Sequence, residues 1–272
     1  MNNAATTWLL SDIAVGQLLI RMVATAIVVI GVAIAVGRLG PAVGGRLAGL
    51  PIVLGPGFFF LMRQADAAFV SSAAAHAILS LTATQLFLLV YVATARRVAP
   101  IVSLLLAICA WSAAAMAFRA IPAEPLAGIA LFALATLLAW QAGRVFVRST
   151  PARRGAENRR LLLLRGLLAG LLGAVVTTLS DRLGPTGAGL LMAFPVGYTV
   201  LSVTLHEQMG ADVAAATLHS AILGTISLAG FCGTLALLAP VLAGWGAYLA
   251  ALAASLVITL ALARQSGRRP QA

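Results

Sequence analysis

The chain has 272 residues, of which 61% are apolar and only 9% charged, with a mean hydropathy of +1.03 and a net charge of +11. Soluble domains carry about a quarter charged residues, so the composition excludes a water-soluble fold and points to an integral membrane protein. The basic excess is entirely Arg, placed at the ends of apolar runs. Such placement reads as membrane topology and gives no nucleic-acid partner.

In chain order, residues 1–12 contain no basic residue, and no small-residue cleavage pattern follows them. The first apolar run is therefore expected to stay in the protein rather than act as a signal peptide. A membrane span needs about 20 mostly apolar residues. Runs of that kind at 13–36, 44–62, 68–93, 99–118, 124–146, 161–180, 184–205, 211–238 and 242–263 predict an all-α protein with about nine transmembrane helices.

With the N-terminus outside, the inner face receives Arg38, Arg46, Arg96, Arg97, the dense group from Arg144 to Arg160, and Arg264, Arg268 and Arg269. The outer face keeps Arg63, Arg119 and Arg182, partly offset by Asp66, Glu124 and Asp181. The positive-inside bias thus predicts a multi-pass protein of a bacterial-type inner (plasma) membrane, N-terminus outside and C-terminus cytoplasmic.

The same residues occur twice. Arg38-Leu39-Gly40-Pro41, Gly45, Leu47 and Pro51 reappear 144 positions later as Arg182-Leu183-Gly184-Pro185, Gly189, Leu191 and Pro195. With no gap, Leu61, Gln64 and Ala77-Ile78-Leu79 match Leu205, Gln208 and Ala221-Ile222-Leu223, and Arg21 matches Arg165. An odd number of spans separates equivalent points, so the two units are expected to be inverted. That divides the chain into a four-helix repeat at 13–118, a linker helix and Arg-rich cytoplasmic loop at 119–160, and a second four-helix repeat at 161–263.

The second span of each unit is interrupted by proline and glycine: Pro51, Gly55, Pro56 and Gly57 in one, Pro195 and Gly197 in the other. Proline removes a backbone donor and clashes with the preceding turn. A kink would explain one such segment; two at matching positions favour broken helices just after Pro51 and Pro195, meeting near the bilayer centre. Freed backbone persists in a membrane only against protein or a watery cavity, so these breaks are the candidate substrate site. Tyr198, Thr199, Ser202 and Thr204 would give the second unit most of the side-chain hydrogen bonds, whereas Phe58-Phe59-Phe60 reads as packing, lipid contact or an apolar wall.

His76 and His219 fall in the third and eighth spans at nearly equivalent places. Each is a candidate for proton coupling, and each equally suits a hydrogen bond between helices. His206, Glu207 and Asp212 read as inner-loop charge, and Arg21 and Arg165 as snorkelling anchors. Cys109 and Cys232 lack metal-ligand or redox spacing and read as apolar filler. No nucleotide-binding loop, nucleophile elbow or zinc motif is present, so neither enzyme activity, metal nor cofactor is expected.

Each unit has a basic residue opening its first helix, Ala48-Gly49-Leu50-Pro51 or Ala193-Phe194-Pro195 in its second, and a polar turn with Gln64 or with Glu207, Gln208 and Gly210 before an Ala-rich third. This pattern resembles the GlpM-like four-helix membrane proteins, as though two were fused through an extra helix. The resemblance implies architecture rather than activity, and Pro56 departs from it. The sequence reads best as a secondary transporter or exporter of a small polar or anionic solute, with the lipid bilayer and a homo-oligomer as further partners. The alternative is a non-transporting scaffold or assembly protein of an envelope pathway.

The Arg distribution predicts that single cysteines in the 147–160 loop, in a Cys-free background, stay unlabelled by an impermeant thiol reagent in intact cells and react after permeabilisation. Labelling in intact cells would overturn both the orientation and the inversion built on it.

Overall fold

The computed structural model describes residues 40–51, 54–122, 124–148, 184–242 and 244–267, with isolated positions between 23 and 38. The expected spans 13–36 and 161–180, Arg21, Arg165 and residues 149–160 lie outside them.

Every regular element described is helical. In chain order these are α1 (Pro41–Leu47), α2 (Leu54–Gln64), α3 (Ala67–Thr94), α4 (Pro100–Phe118), α5 (Pro125–Gly143, continued by a 3-10 turn Arg144–Phe146), α6 (Gly184–Met192), α7 (Val196–Met209), α8 (Ala211–Leu238) and α9 (Gly244–Gly267). Six helical stretches among the described residues are long and apolar enough to cross a membrane. The chain is an all-α, multi-pass membrane protein. The expected span at 44–62 is two short helices rather than one.

Local chemistry sets the ends. Pro100 and Pro125 occupy first-turn positions, where the missing N–H is not needed. Asp66 caps α3 by accepting a 2.7 Å hydrogen bond from the Phe69 N–H. Gly210, at φ 93°, takes the left-handed turn that separates α7 from α8.

The centre of the molecule is the pair α3 and α8. Their apolar windows are 72% and 67% buried, against 22% to 28% for α4, α5 and α9. The Ser71 hydroxyl donates to the Ala236 carbonyl and the Gln85 amide to Thr225, so the two helices run antiparallel. The outer helices instead expose Leu105, Leu106 and Met116 on α4, Leu134, Leu137 and Leu138 on α5, and Leu249, Leu256, Val257 and Leu260 on α9. Apolar surface on this scale belongs against lipid.

The broken segments change partner halfway. α1 packs on α8 and α9, and α2 touches α3 and α9; α6 packs on α3, and α7 on α8 and α4. These contacts are reciprocal across the 144-residue offset. A side chain at Gly45 would collide with Thr217, Ser220 and Ala221, and one at Gly189 with Ala73, His76 and Ala77. Gly49 presses on Gly224, and the Ser80 hydroxyl donates to the Leu190 carbonyl at 2.9 Å. Ser80 and Gly224 mark the middle of their 28-residue helices. Both breaks therefore lie at mid-height of the central pair.

Charge segregates by end. At one end Arg97 stacks over Phe146 and Arg96 lies 3.8 Å from Asp212, with Arg144, Arg148 and Arg264 alongside in the helix order. Among the described residues, the opposite end carries Arg63 and Arg119 with Asp66 and Glu124. Arg46, expected among the inner-face charges, is instead buried in α1, with a guanidinium Nη1 donating to the Leu262 carbonyl of α9.

Because backbone rather than a flexible side chain meets Gly45 and Gly189, Gly45→Val and Gly189→Val should each cost about 1–3 kcal/mol or more. Gly246→Ala, whose Cβ would lie 3.8 Å from the Leu242 Cβ, should be neutral. Thermal melts in detergent, followed by size exclusion, read the difference.

Candidate functional site

Proline acts at the start of each second half-helix, not at the end of the first. The Pro51 carbonyl accepts from the Gly55 N–H at 2.6 Å and the Pro195 carbonyl from the Thr199 N–H at 2.9 Å, an identical step 144 residues apart. The second break thus covers 193–195 and ends at Pro195, whereas the sequence places it just after the proline. The reason is that a proline opening a helix gives up only an N–H that has no helical partner, whereas an interior one costs about 3 kcal/mol. Gly55 and Gly57 accordingly lie within α2 and Gly197 within α7. The helices flanking the breaks press mainly on α3 and α8, while Ala48 and Phe194, one at each break, pack against the same apolar cluster.

The two breaks differ in chemistry. Around the first, Phe58 packs on Phe231 with ring centroids 6.0 Å apart and Phe59 on Trp245 and Tyr248, so the surroundings are mainly aromatic, with the Tyr248 hydroxyl beside Gly55. Beside it, Ser227, Ser255 and Thr259 close a hydroxyl network between α8 and α9, with Oγ separations of 2.6 and 2.7 Å. This network is satisfied within itself and fastens the two helices.

The second break is polar and incompletely satisfied. Trp111 of α4 packs edge-on against Phe194, with centroids 4.8 Å apart. Its indole nitrogen is buried with no hydrogen-bond partner among the described residues, as is the Tyr198 hydroxyl in the first turn of α7; toward the Arg-rich end the same holds for the Thr204 hydroxyl and Gln208 amide nitrogen of α7 and the Ser103 hydroxyl of α4. The other expected ligands are occupied locally. The Thr199 hydroxyl donates to the Val196 carbonyl at 2.6 Å and that of Ser202 to the Thr199 carbonyl at 3.0 Å. Toward the Arg-rich end, the Tyr91 hydroxyl and His206 Nδ1 lie 3.2 Å apart. Trp111, Ser103 and Tyr91 carry no sequence signal, because each joins the site through a tertiary contact with a distant helix.

The two intramembrane histidines point to separate tasks. His76 Nδ1 donates to the Ser72 carbonyl one turn back on α3. His219 Nε2 donates to the Trp140 carbonyl at 2.9 Å, and the rings stack at 4.0 Å, tying α8 to α5. Since α3 and α8 are antiparallel, the two rings lie toward opposite ends of the molecule.

A second polar node joins three helices at mid-height. Gln85 Nε2 donates to Thr136 Oγ1 of α5 at 2.8 Å and to Thr225 Oγ1 of α8 at 2.7 Å. Both threonine protons are already given to carbonyls, those of Phe132 and Ile222, so both oxygens can only accept. This fixes the amide's orientation and leaves its Oε1 buried without a partner. Thr136 also edges a groove of about 530 Å³ between α5, α8 and α9, walled by Phe132, Trp140, Ile226 and Ile258. That groove is apolar and suits lipid rather than a polar solute.

No known protein family, no curated protein and no solved structure matches this chain.

Removing one partner of a buried donor costs more than removing the donor itself. Thr225→Val, which strands a Gln85 N–H, should therefore lower stability by about 1–3 kcal/mol, and Gln85→Leu by less. In the double variant, Gln85→Leu should recover part of the Thr225→Val loss, as read by thermal melts in detergent.

Proposed function

We propose that the chain is a secondary transporter for a small polar solute, built from two inverted units of a GlpM-like kind joined by α5. Its site lies between α4 and α7 at the second break. The observation that carries this is the pair of buried polar atoms on Trp111 and Tyr198 at the break, unpartnered among the described residues, with those of Thr204, Ser103 and Gln208 following along α4 and α7 toward the Arg-rich end. Each such group costs about 1–3 kcal/mol unless water or ligand satisfies it. A scaffold has no use for that expense at mid-membrane, and a packed core would replace these residues with apolar ones. A transporter needs them.

The reciprocal contacts supply the other requirement. Each broken segment bridges from one unit's long helix to the other's, so rocking one unit against the other moves the breaks relative to α3 and α8. In alternating access, such motion opens a mid-membrane site first to one side and then to the other. The segregation of Arg supports an orientation with the α3–α4 turn and the α9 C-terminus in the cytoplasm. His76 and His219 remain the candidates for proton coupling.

An untargeted comparison of metabolites inside and outside cells, with and without the protein, should reveal a solute whose distribution depends on it. For that solute, Trp111→Phe and Tyr198→Phe should lower transport about 5- to 150-fold, the equivalent of one buried hydrogen bond. Thr199→Val and Ser202→Ala, whose hydroxyls bond their own helix, should lower it less. Equal activity in all four variants, each correctly inserted, would mean that the centre is packing and favour the scaffold.

A further inference from the structure

We infer that the solute bound at the second break is a small monovalent carboxylate, an assignment that rests on reading that break as a solute site. α7 is a 14-residue helix that begins at mid-membrane. Its first-turn amides are those of Val196, Gly197 and Tyr198. Val196 is turned back to the Phe194 carbonyl, whereas Gly197 and Tyr198 have no acceptor among the described residues. Beside Gly197 the space is open: a Cβ built there meets no heavy atom within 4 Å. The helix N-terminus therefore offers free N–H donors and a partial positive charge at the break.

The side chains make an independent case. Trp111, only 7% exposed and packed on Phe194 at the break itself, presents an indole N–H that can donate and never accept. The Tyr198 hydroxyl, on a residue 5% exposed in the same first turn, is equally unpartnered. The indole and the free amides can only donate, while the hydroxyl can do either, so the donors at the helix start favour a ligand rich in lone pairs. An ammonium ion could not accept from the indole or the amides, and would face the positive end of the helix.

Charge number follows from what is missing nearby. α4, α6 and α7 contain no Arg, so no formal positive charge on these helices balances the ligand. Dipoles and neutral donors suffice for one delocalised negative charge and not for a phosphate dianion. The equivalent positions in the first unit are Leu54 and Ser255, the latter already engaged with Ser227, which confines the anion to one break.

The test uses the full-length protein with Trp8, Trp140 and Trp245 replaced by Phe, leaving Trp111 as the sole indole. Its emission is titrated at constant ionic strength with sodium acetate, acetamide, methylammonium chloride and sodium decanoate. The expected result is a saturable change with acetate, weaker by about tenfold or more with acetamide. In this background Tyr198→Phe should weaken acetate about 5- to 150-fold. Gly197→Leu, for which there is room, should block it. Ser71→Ala, at the far end of α3, should leave it unchanged. Equal or tighter binding of acetamide or methylammonium overturns the anion and keeps the solute site. A response to decanoate alone overturns the small solute in favour of a lipid-derived acid. Silence toward all four, in protein that melts normally, removes the site together with the carboxylate.

Discussion

Everything in this molecule depends on one constraint: inside a bilayer, backbone polar groups must find partners within the protein. A helix broken at mid-membrane exposes amides and carbonyls that lipid cannot satisfy. Two such breaks exist here, and both are pressed against the buried pair α3 and α8. Glycine makes the approach close enough. At Gly45, Gly49 and Gly189 a single methyl group would meet backbone, and the Ser80 hydroxyl takes up the Leu190 carbonyl beside the second break. The central pair in turn stays antiparallel through polar contacts, Ser71 to Ala236 near one end and Gln85 to Thr225 near mid-height. α5 joins the same node through Thr136 and braces the α8 end through the Trp140–His219 stack.

The difference between the breaks gives a common architecture a direction. Where the first break meets Phe58, Phe231 and Tyr248, the second meets Trp111 and begins a helix bearing Tyr198, Thr199, Ser202 and Thr204. Positions that match across the 144-residue offset are apolar filling on one side and unsatisfied polar atoms on the other. The closed network of Ser227, Ser255 and Thr259 makes the contrast concrete, since hydroxyls at a comparable depth are there used up in joining helices. In the proposed transporter one polar break would hold the solute, and the other would serve as the bearing on which the units move.

Much of this was legible in the sequence. Spans predicted at 68–93, 99–118 and 211–238 appear at Ala67–Thr94, Pro100–Phe118 and Ala211–Leu238 because Asp66, Pro100 and Gly210 mark their ends by local chemistry. Paired prolines located the interruptions. What the sequence misplaced was the side of Pro195 on which the break lies, because proline is compatible with both a helix end and a helix start, and only the hydrogen bond from Thr199 to the Pro195 carbonyl distinguishes them. Arg46 read as an inner-face charge and is buried, a fact the sequence hides because its partner Leu262 is 216 residues away. Trp111 and Gln85 were not singled out by the sequence for the same reason: their meaning lies in contacts with Phe194 and Thr225, distant in the chain.

The central claim is the reciprocal crossing of the two broken segments, and cross-linking across the molecule tests it most directly. In a Cys-free background, one variant carries Ala42→Cys with Ser220→Cys, where the Ser220 hydroxyl bonds the Ala42 carbonyl at 2.7 Å. The other carries His76→Cys with Thr186→Cys, the same two positions displaced by 144 residues. A protease site placed in the 149–160 loop then separates the halves of the chain. The account predicts that both pairs, once oxidised in native membranes, hold the halves together as a single band after cleavage and release them on reduction. Linkage by one pair and not the other, in inserted protein, would contradict the reciprocity on which the proposed inverted architecture rests.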